Sequence, residues 1–313
     1  MKAVAIEEFG GREKLQHTYM EKPKPAEGEV LVHIKATSVN PVDYKLREGF
    51  LKGRLPHQFP IILGWDMAGV IEGRGHSARR FDQGEEVWAY ARRPLVQNGT
   101  YAEYISLPES YLACKPKELS FEEAASVPLT GLTAYQGLFV EGNLQSGQTA
   151  LLIGASGGVG SMAVQLAKIQ GANVIAVASG QNEDYVLNEL GADHFIDYKK
   201  ERLFDAVDEK VDIVFDMVGG AQLQEVNKLV KSGGKIISVA GKFEDIALLK
   251  EENKTFHSVF VEPHSRQLDE LNNYVKQGKL KPHVQQVFSL EEMDKAHELI
   301  EGGHTKGKIA VTV

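Results

Sequence analysis

The sequence predicts an α/β chain of two domains, a doubly wound domain around a parallel sheet and a β-rich one. Three observations carry this. The chain has 313 residues, natural for two domains. Its character changes near residue 120, from short β-like runs broken by Gly and Pro to apolar strands alternating with helices. A glycine-rich run, Gly154 to Gly160, joins one such strand to the helix that follows. With 42% hydrophobic and 25% charged residues, a disordered or fibrous chain is excluded. No apolar run nears the length of a membrane span. A net charge of −8 argues against nucleic acid as a partner.

Element by element, Met1–Glu7 reads as a strand, too short and too soon charged for a secretory signal. Leu31–Ala36 and Glu86–Tyr90 are β-like, between turns rich in Gly and Pro. Ser120, with Glu123 three residues on, is a capping box that starts a helix. Then come strand Thr149–Ile153, helix Val159–Ile169, strand Asn173–Ala178 and a helix, Glu183–Leu190, stopped by Gly191. Strands Val211–Phe215 and Lys235–Val239 flank a helix near Gln222–Val230, and Phe256–Val261 is one more strand. Nearly continuous apolar strands between helices indicate a parallel sheet covered on both faces. Helices Arg266–Lys276 and Leu290–Ile300 precede a final strand, Lys308–Val313.

One cysteine, Cys114, forms no internal disulfide, so nothing points to an oxidising compartment and the chain is expected to be cytoplasmic. One cysteine builds no cysteine-based zinc site either. Cys114 is expected to be a small buried apolar residue. None of the ten histidines forms an HExxH pair, so no metal is expected.

The run Gly154-Ala155-Ser156-Gly157-Gly158-Val159-Gly160 has the spacing of a dinucleotide fingerprint, with Ala155 in the first glycine slot. Gly157 would let the backbone approach a pyrophosphate and Gly160 would let the helix pack close to the sheet. The helix N-terminus offers free N–H groups to the anion. The same residues fit GxSxG, with Ser156 as a hydrolase nucleophile, but no His is followed by Gly upstream to build an oxyanion loop. Gly302 to Lys308 mimics a phosphate loop; Ile309 replaces the required Ser or Thr, and no helix follows.

At the end of the second strand an NAD enzyme carries an acid for the ribose. Here the run is Ala178-Ser179-Gly180-Gln181-Asn182. No carboxylate stands there to repel a 2′-phosphate, and Ser179 and Asn182 can hydrogen-bond one. NADPH is therefore expected rather than NADH. Tyr198 and Lys199, after the next short strand, are further candidate contacts.

Two other runs are informative: Ser38-Val39-Asn40-Pro41-Val42-Asp43-Tyr44-Lys45 and Gly64-Trp65-Asp66-Met67-Ala68-Gly69. With Pro128–Ala134, the Ala155–Gly160 turn, Leu190-Gly191-Ala192-Asp193 and the closing Gly-Lys, the chain resembles the zinc-independent quinone oxidoreductase branch of the medium-chain dehydrogenase/reductase superfamily over essentially its whole length. The resemblance implies a Rossmann nucleotide domain (119–258) and a β-rich GroES-like catalytic domain (1–118, completed by 259–313), with the active site in the cleft between them. It implies NADPH-dependent reduction of small quinones or α,β-unsaturated carbonyls. Zinc-containing relatives put Cys at Asn40 and Gly-His-Glu at Gly64-Trp65-Asp66; both are missing here, as is the four-Cys lobe.

By the same resemblance, Asn40 would contact the nicotinamide region and Tyr44 would flank the substrate. Lys45 and the run Gly303-His304-Thr305-Lys306 would bind the cofactor. Thr130, Val218 and Ala240 complete the expected cofactor contacts. Gln181 stands where many NADPH-binding relatives have Lys or Arg. Enoyl-thioester reductases have Asn at Lys45 and a Tyr where Phe50-Leu51 follows, so that substrate class is disfavoured. Relatives commonly form homodimers by pairing edge strands, for which Thr255–Val261 is the candidate edge; a monomer is the alternative. A non-catalytic dinucleotide-binding protein and a hydrolase through Ser156 are the rival functions.

Overall fold

Glycines and prolines cut the first 120 residues into short strands. These are β1 (Lys2–Ile6), β2 (Gln16–Tyr19), β3 (Glu29–Val39), β4 (His57–Ile62), β5 (Asp66–Arg74), β6 (Glu86–Tyr90), β7 (Val96–Asn98), β8 (Tyr104–Pro108) and β9 (Leu112–Cys114). The computed structural model describes residues 1–220 and 222–313 and divides into two units. One is Met1–Leu129 with Glu262–Gly278 and Pro282–Val313; the other is Thr130–Val261 with Lys279–Lys281.

In the first unit β3 is the spine. Val30, Val32 and Ile34 along it are fully buried, packed with Met67, Ile71, Val87 and Leu107. Late in the chain come β16 (Val284–Ser289) and β17 (Lys308–Thr312), with α8 (Ser265–Lys276) and α9 (Met293–Glu301) before and between them. The sheet order is β16-β17-β3-β5-β6-β9, with β8 also on β3. Antiparallel pairing sets Ile309 opposite Val39, so the last strand lies inside this sheet, between β16 and β3. A smaller sheet runs β2-β1-β4-β7. Cys114 is exposed, not buried as the sequence suggested, because it ends the edge strand β9. Burial of its remaining surface, with Glu85 and Asp269 nearby, pushes the thiol pKa up.

The second unit carries β10 (Thr149–Ile153), β11 (Asn173–Ala178), β12 (His194–Asp197), β13 (Val211–Asp216), β14 (Val230–Ser238) and β15 (Thr255–Ser258). All pair in parallel, in the order β12-β11-β10-β13-β14-β15. The chain winds from β10 to one edge and then from β13 to the other. Helices α3 (Pro128–Tyr135), α4 (Gly158–Ile169), α5 (Leu203–Ala206), α6 (Gln222–Glu225) and α7 (Ile246–Glu251) lie between strands or before them. Leu151, Ile153, Val214, Ile236 and Leu249 share one core. The segment expected as a helix over Glu183–Leu190 is helical as far as Glu189, with the wider π-type winding over Tyr185–Glu189, and a 3-10 turn, Gly180–Asn182, leads into it. Strand β15 stops three residues short of the expected Val261.

The sequence analysis names no helix at α1 (Pro41–Arg47), nor at α3, α5 or α7, while α2 (Phe121–Ala125) begins at the expected Ser120–Glu123 box. Proline at the first position suits α1, but distant residues hold it. Arg47 is fully buried. It donates to Gly10 O (3.1 Å), Glu48 Oε1 (2.8 Å), Glu301 Oε1 (2.7 Å) and His297 Nδ1 (2.9 Å). A guanidinium only donates, so His297 Nδ1 accepts and Nε2 carries the hydrogen. Nε2 lies 3.2 Å from Tyr101 Oη, whose own hydrogen goes to Asp43 Oδ2 at 3.0 Å.

Burial, then the positive charges of Arg47 and Arg12, hold the His297 imidazole down at about 3. Burial raises the Asp43 carboxyl to about 7 against the pull of its hydrogen bonds; its Oδ1 has no hydrogen-bond partner. The two act oppositely on stability. Folded Asp43 keeps a proton that the unfolded chain releases above about pH 4, so its contribution falls as pH rises from there to 7. Folded His297 refuses a proton that the unfolded chain takes up below about pH 6.5, so its contribution falls as pH drops. Between pH 4.5 and 6 the slopes, each up to about 1.4 kcal/mol per pH unit, cancel. Relative to wild type, Asp43→Asn should therefore show denaturation midpoints that rise with pH in this window, and His297→Gln midpoints that fall.

Candidate active site

In the second unit the expected nucleotide residues gather at the carboxyl ends of β10, β11 and β13, where a doubly wound sheet binds ligands. Gly154 leaves β10 at φ +90°, and a Cβ there would sit 2.9 Å from Val218 Cγ2. A Cβ on Gly160 would lie 2.1 Å from Gly154 O and 2.6 Å from Ala155 Cα; only glycine lets α4 approach β10 so closely. Gly157 differs. It is the N-cap of α4 in an ordinary extended conformation, and a Cβ would meet only Gly154 O, at 3.6 Å. No protein atom demands glycine at 157, which suits a ligand lying against it. Behind it the first-turn N–H groups of Gly158, Val159 and Gly160 have no helical acceptor.

The amide of Asn182 ties this turn to the end of β11. Its Nδ2 donates to Ser156 Oγ at 3.0 Å and Ser179 Oγ at 3.2 Å. Tyr198, 54% exposed, is held beside them by its N–H on Ala178 O (3.3 Å). Thr130 is buried and Ala240 exposed. Asp216, fully buried, accepts the N–H groups of Val218 (3.2 Å) and Gly219 (3.0 Å) and the Ser238 hydroxyl (2.8 Å). Ser238 Oγ accepts from Ala240 N (3.2 Å) and Gly241 N (3.0 Å). One carboxylate thus shapes both loops bearing Val218 and Ala240.

In the first unit, Asn40, α1 with Tyr44 and Lys45, and the loop holding His304, Thr305 and Lys306 lie at one end of the sheet. Strand pairing of β17 with β3 and the Arg47–Glu301 bridge bring them there. Lys45 and His304 are exposed. Thr305 Oγ1 is buried without a hydrogen-bond partner, and Lys306 N–H donates to Gln285 Oε1 at 2.7 Å. Tyr44 is half-buried; burial, then Glu48 and Glu301, raise its phenol pKa, so it holds its proton at neutral pH. The Asn40 side chain is nearly fully buried and bonded to Lys308 and Asp66.

Several residues of the site escaped the sequence reading. Asp216 and Ser238 contact no expected ligand, and only their strand-end positions mark them. Asp197, at the end of β12, would lie 2.3 Å from a Cβ on Gly180, with Lys200 Nζ 3.5 Å from that same point. Burial raises the Asp197 pKa, but the N–H groups of Lys199 and Gly180 and the Lys200 ammonium pull it below the usual carboxylate range. Lys200, paired with the Asp197 carboxylate at 3.5 Å, is thus a further lysine beside the Gly180 turn, where the sequence analysis named Tyr198 and Lys199. The two glycines of the turn separate packing from binding. Gly160→Ala is expected to destabilise by about 1–3 kcal/mol, the cost of overpacking, read from denaturant midpoints. Gly157→Ala should leave stability within about 0.5 kcal/mol and weaken dinucleotide binding in a fluorescence titration.

Two family models match the chain: an alcohol dehydrogenase GroES-like domain over residues 26–117 and a zinc-binding dehydrogenase over 190–311. Asn40 and Asp66 are engaged with an ammonium, and among the described residues no group of three His, Cys, Asp or Glu could hold a metal. A 2-methylene-furan-3-one reductase from Solanum lycopersicum is 35% identical over 99% of this chain and 79% of its own. An NADPH-dependent alkenal/one oxidoreductase from Arabidopsis thaliana is 33% identical over the same shares. Among solved structures, the quinone oxidoreductase of Coxiella burnetii superimposes with a TM-score of 0.91 at 33% identity, covering 100% of this chain and 99% of that one. The Escherichia coli quinone oxidoreductase complexed with NADPH gives 0.90 at 25% identity, covering both chains fully. With a Rossmann-type parallel sheet, a GroES-like domain and relatives of this identity along nearly its whole length, the chain belongs to the quinone and alkenal/one oxidoreductase branch of the medium-chain dehydrogenase/reductase superfamily.

Proposed function

We propose that the protein is an NADPH-dependent reductase of quinones and α,β-unsaturated carbonyls that works without zinc. The observation that carries this is the Ser156–Asn182–Ser179 cluster at the end of β11, where two hydroxyls and an amide stand in place of a ribose-binding acid. Bound NADPH supplies a hydride to the electron-poor carbon of the acceptor. Ser179, Asn182, Tyr198 and Lys200 hold the 2′-phosphate, and Gly157 and the first turn of α4 the pyrophosphate. Val218 and Ala240 flank the cofactor along loops fixed by Asp216. In the first unit Asn40 serves the nicotinamide end, while Lys45, His304, Thr305 and Lys306 add cofactor contacts. Tyr44 or solvent returns the proton that completes reduction.

The hydrolase alternative lacks its base, because the Ser156 hydroxyl takes the Asn182 amide and a carboxamide accepts no proton from a nucleophile. We place the protein in the cytoplasm on its single cysteine, although some relatives are named chloroplastic or mitochondrial. The open edge strand β15, followed by the half-exposed Phe260, is proposed as the seam of a homodimer. Light scattering should then give twice the 34.5 kDa chain mass; the single-chain mass at micromolar concentration would remove the dimer.

Steady-state NADPH oxidation against a panel of quinones and enones tests the reaction, and no turnover with any of them would refute it. For the cofactor, two neutral hydrogen bonds and a lysine should favour NADPH over NADH by about ten-fold or more in kcat/KM. Ser179→Asp should bring that ratio below one, by setting a carboxylate against the 2′-phosphate. Ser156→Ala should weaken NADPH binding and leave turnover intact.

A further inference from the structure

Lys308 opens β17, and its side chain is 5% exposed. A buried ammonium is costly unless its hydrogens are answered. Here Nζ donates to Asn40 Oδ1 at 2.6 Å and to Val39 O at 2.9 Å, with Asp66 Oδ2 3.6 Å away. Asn40 is the N-cap of α1, where an Asn side chain ordinarily accepts a first-turn N–H. Here Asp43 Oδ2 closes a capping box on the Asn40 backbone N–H at 2.8 Å, and the Asn40 carboxamide also reaches the buried charges. Its Nδ2 donates to Asp66 Oδ2 at 2.8 Å, and the same oxygen takes the Ser38 hydroxyl at 2.8 Å.

An isolated carboxamide has two orientations, half a turn apart, that differ little in shape. At Asn40 a half turn would set N–H against the ammonium and oxygen against the carboxylate. Two charge-assisted bonds would become two repulsions. Lys308 and Asp66 therefore admit one orientation, in which the second Nδ2 hydrogen is what Asn40 has to donate.

We propose that Lys308 is a positioning residue: its ammonium fixes the Asn40 carboxamide so that this remaining N–H is presented to the nicotinamide region during reduction. The inference rests on the reductase reading of Asn40 given above. Its reach across 268 positions of sequence places it outside any local motif.

Three variants test it. Lys308→Met removes the charge, Lys308→Arg keeps it, and Lys308→Met with Asp66→Asn removes both charges, so that no carboxylate is left unanswered if the first variant unfolds. Nitrogen-15 asparagine NMR of the ligand-free protein reads the clamp, and kinetics with NADPH and a small enone read its use. In the double variant the Asn40 amide hydrogens should exchange at least about ten-fold faster than in wild type, with kcat down by about 10- to 100-fold, as expected for a misplaced group. The KM for NADPH should move less than about three-fold, and Lys308→Arg should recover part of kcat. Unchanged Asn40 exchange in the double variant, or a wild-type kcat in it, would overturn the proposal. A wild type that reduced neither quinone nor enone would defeat the reductase reading instead, and amide exchange would still decide the clamp.

Discussion

One carboxylate that never meets water organises the first unit. Asp66 is fully buried and receives the Ser38 hydroxyl, the Asn40 amide and the Leu129 N–H, with the Lys308 ammonium beside it. These groups come from β3, the cap of α1, the start of α3 and β17. Removing any one leaves part of a charge unanswered in a medium that solvates it poorly. The positions of four elements are thereby tied to one side chain. Asp43 plays a lesser version of this part, joined through Tyr101 and His297 to Arg47. In the second unit Asp216 does the same for two loops at the sheet's carboxyl end.

Much of this architecture is legible in the sequence because it is local. Apolar runs of five or six residues alternating with helical spacing give β10, β11 and β13 nearly to the residue. The steric role of Gly160 follows from its place in the fingerprint, and the structure gives it a distance. The Ser120–Glu123 box likewise depends on residues three apart.

What stays hidden depends on contacts far apart in sequence. Helix α1 is seven residues long, too short to stand by propensity alone, and it is held by Arg47 reaching Gly10, His297 and Glu301. Lys308 reads as an ordinary lysine before a closing strand until β17 is paired with β3. Cys114 misleads in the other direction, since a small thiol favours the interior and only the sheet order puts it on an edge. Lys200 is invisible for the same reason as Asp197, because the end of β12 meets the Gly180 turn only once the strands lie side by side. Residue type and spacing therefore locate the nucleotide turn, while the groups that tune it appear only with topology.

The pairing of β17 with β3 bears on how the molecule comes to exist. A ribosome delivers β3 and β5 long before it delivers β17, and the whole parallel sheet is made in the interval. Throughout that time the nascent chain carries Asp66 and Asn40 without their cation, and a sheet with one open flank. Domains tend to fold as units while synthesis proceeds, so the second unit has its full set of strands before the first does. The amino-terminal half thus waits on β17, and the interior around Asp66 closes only once that strand has been made.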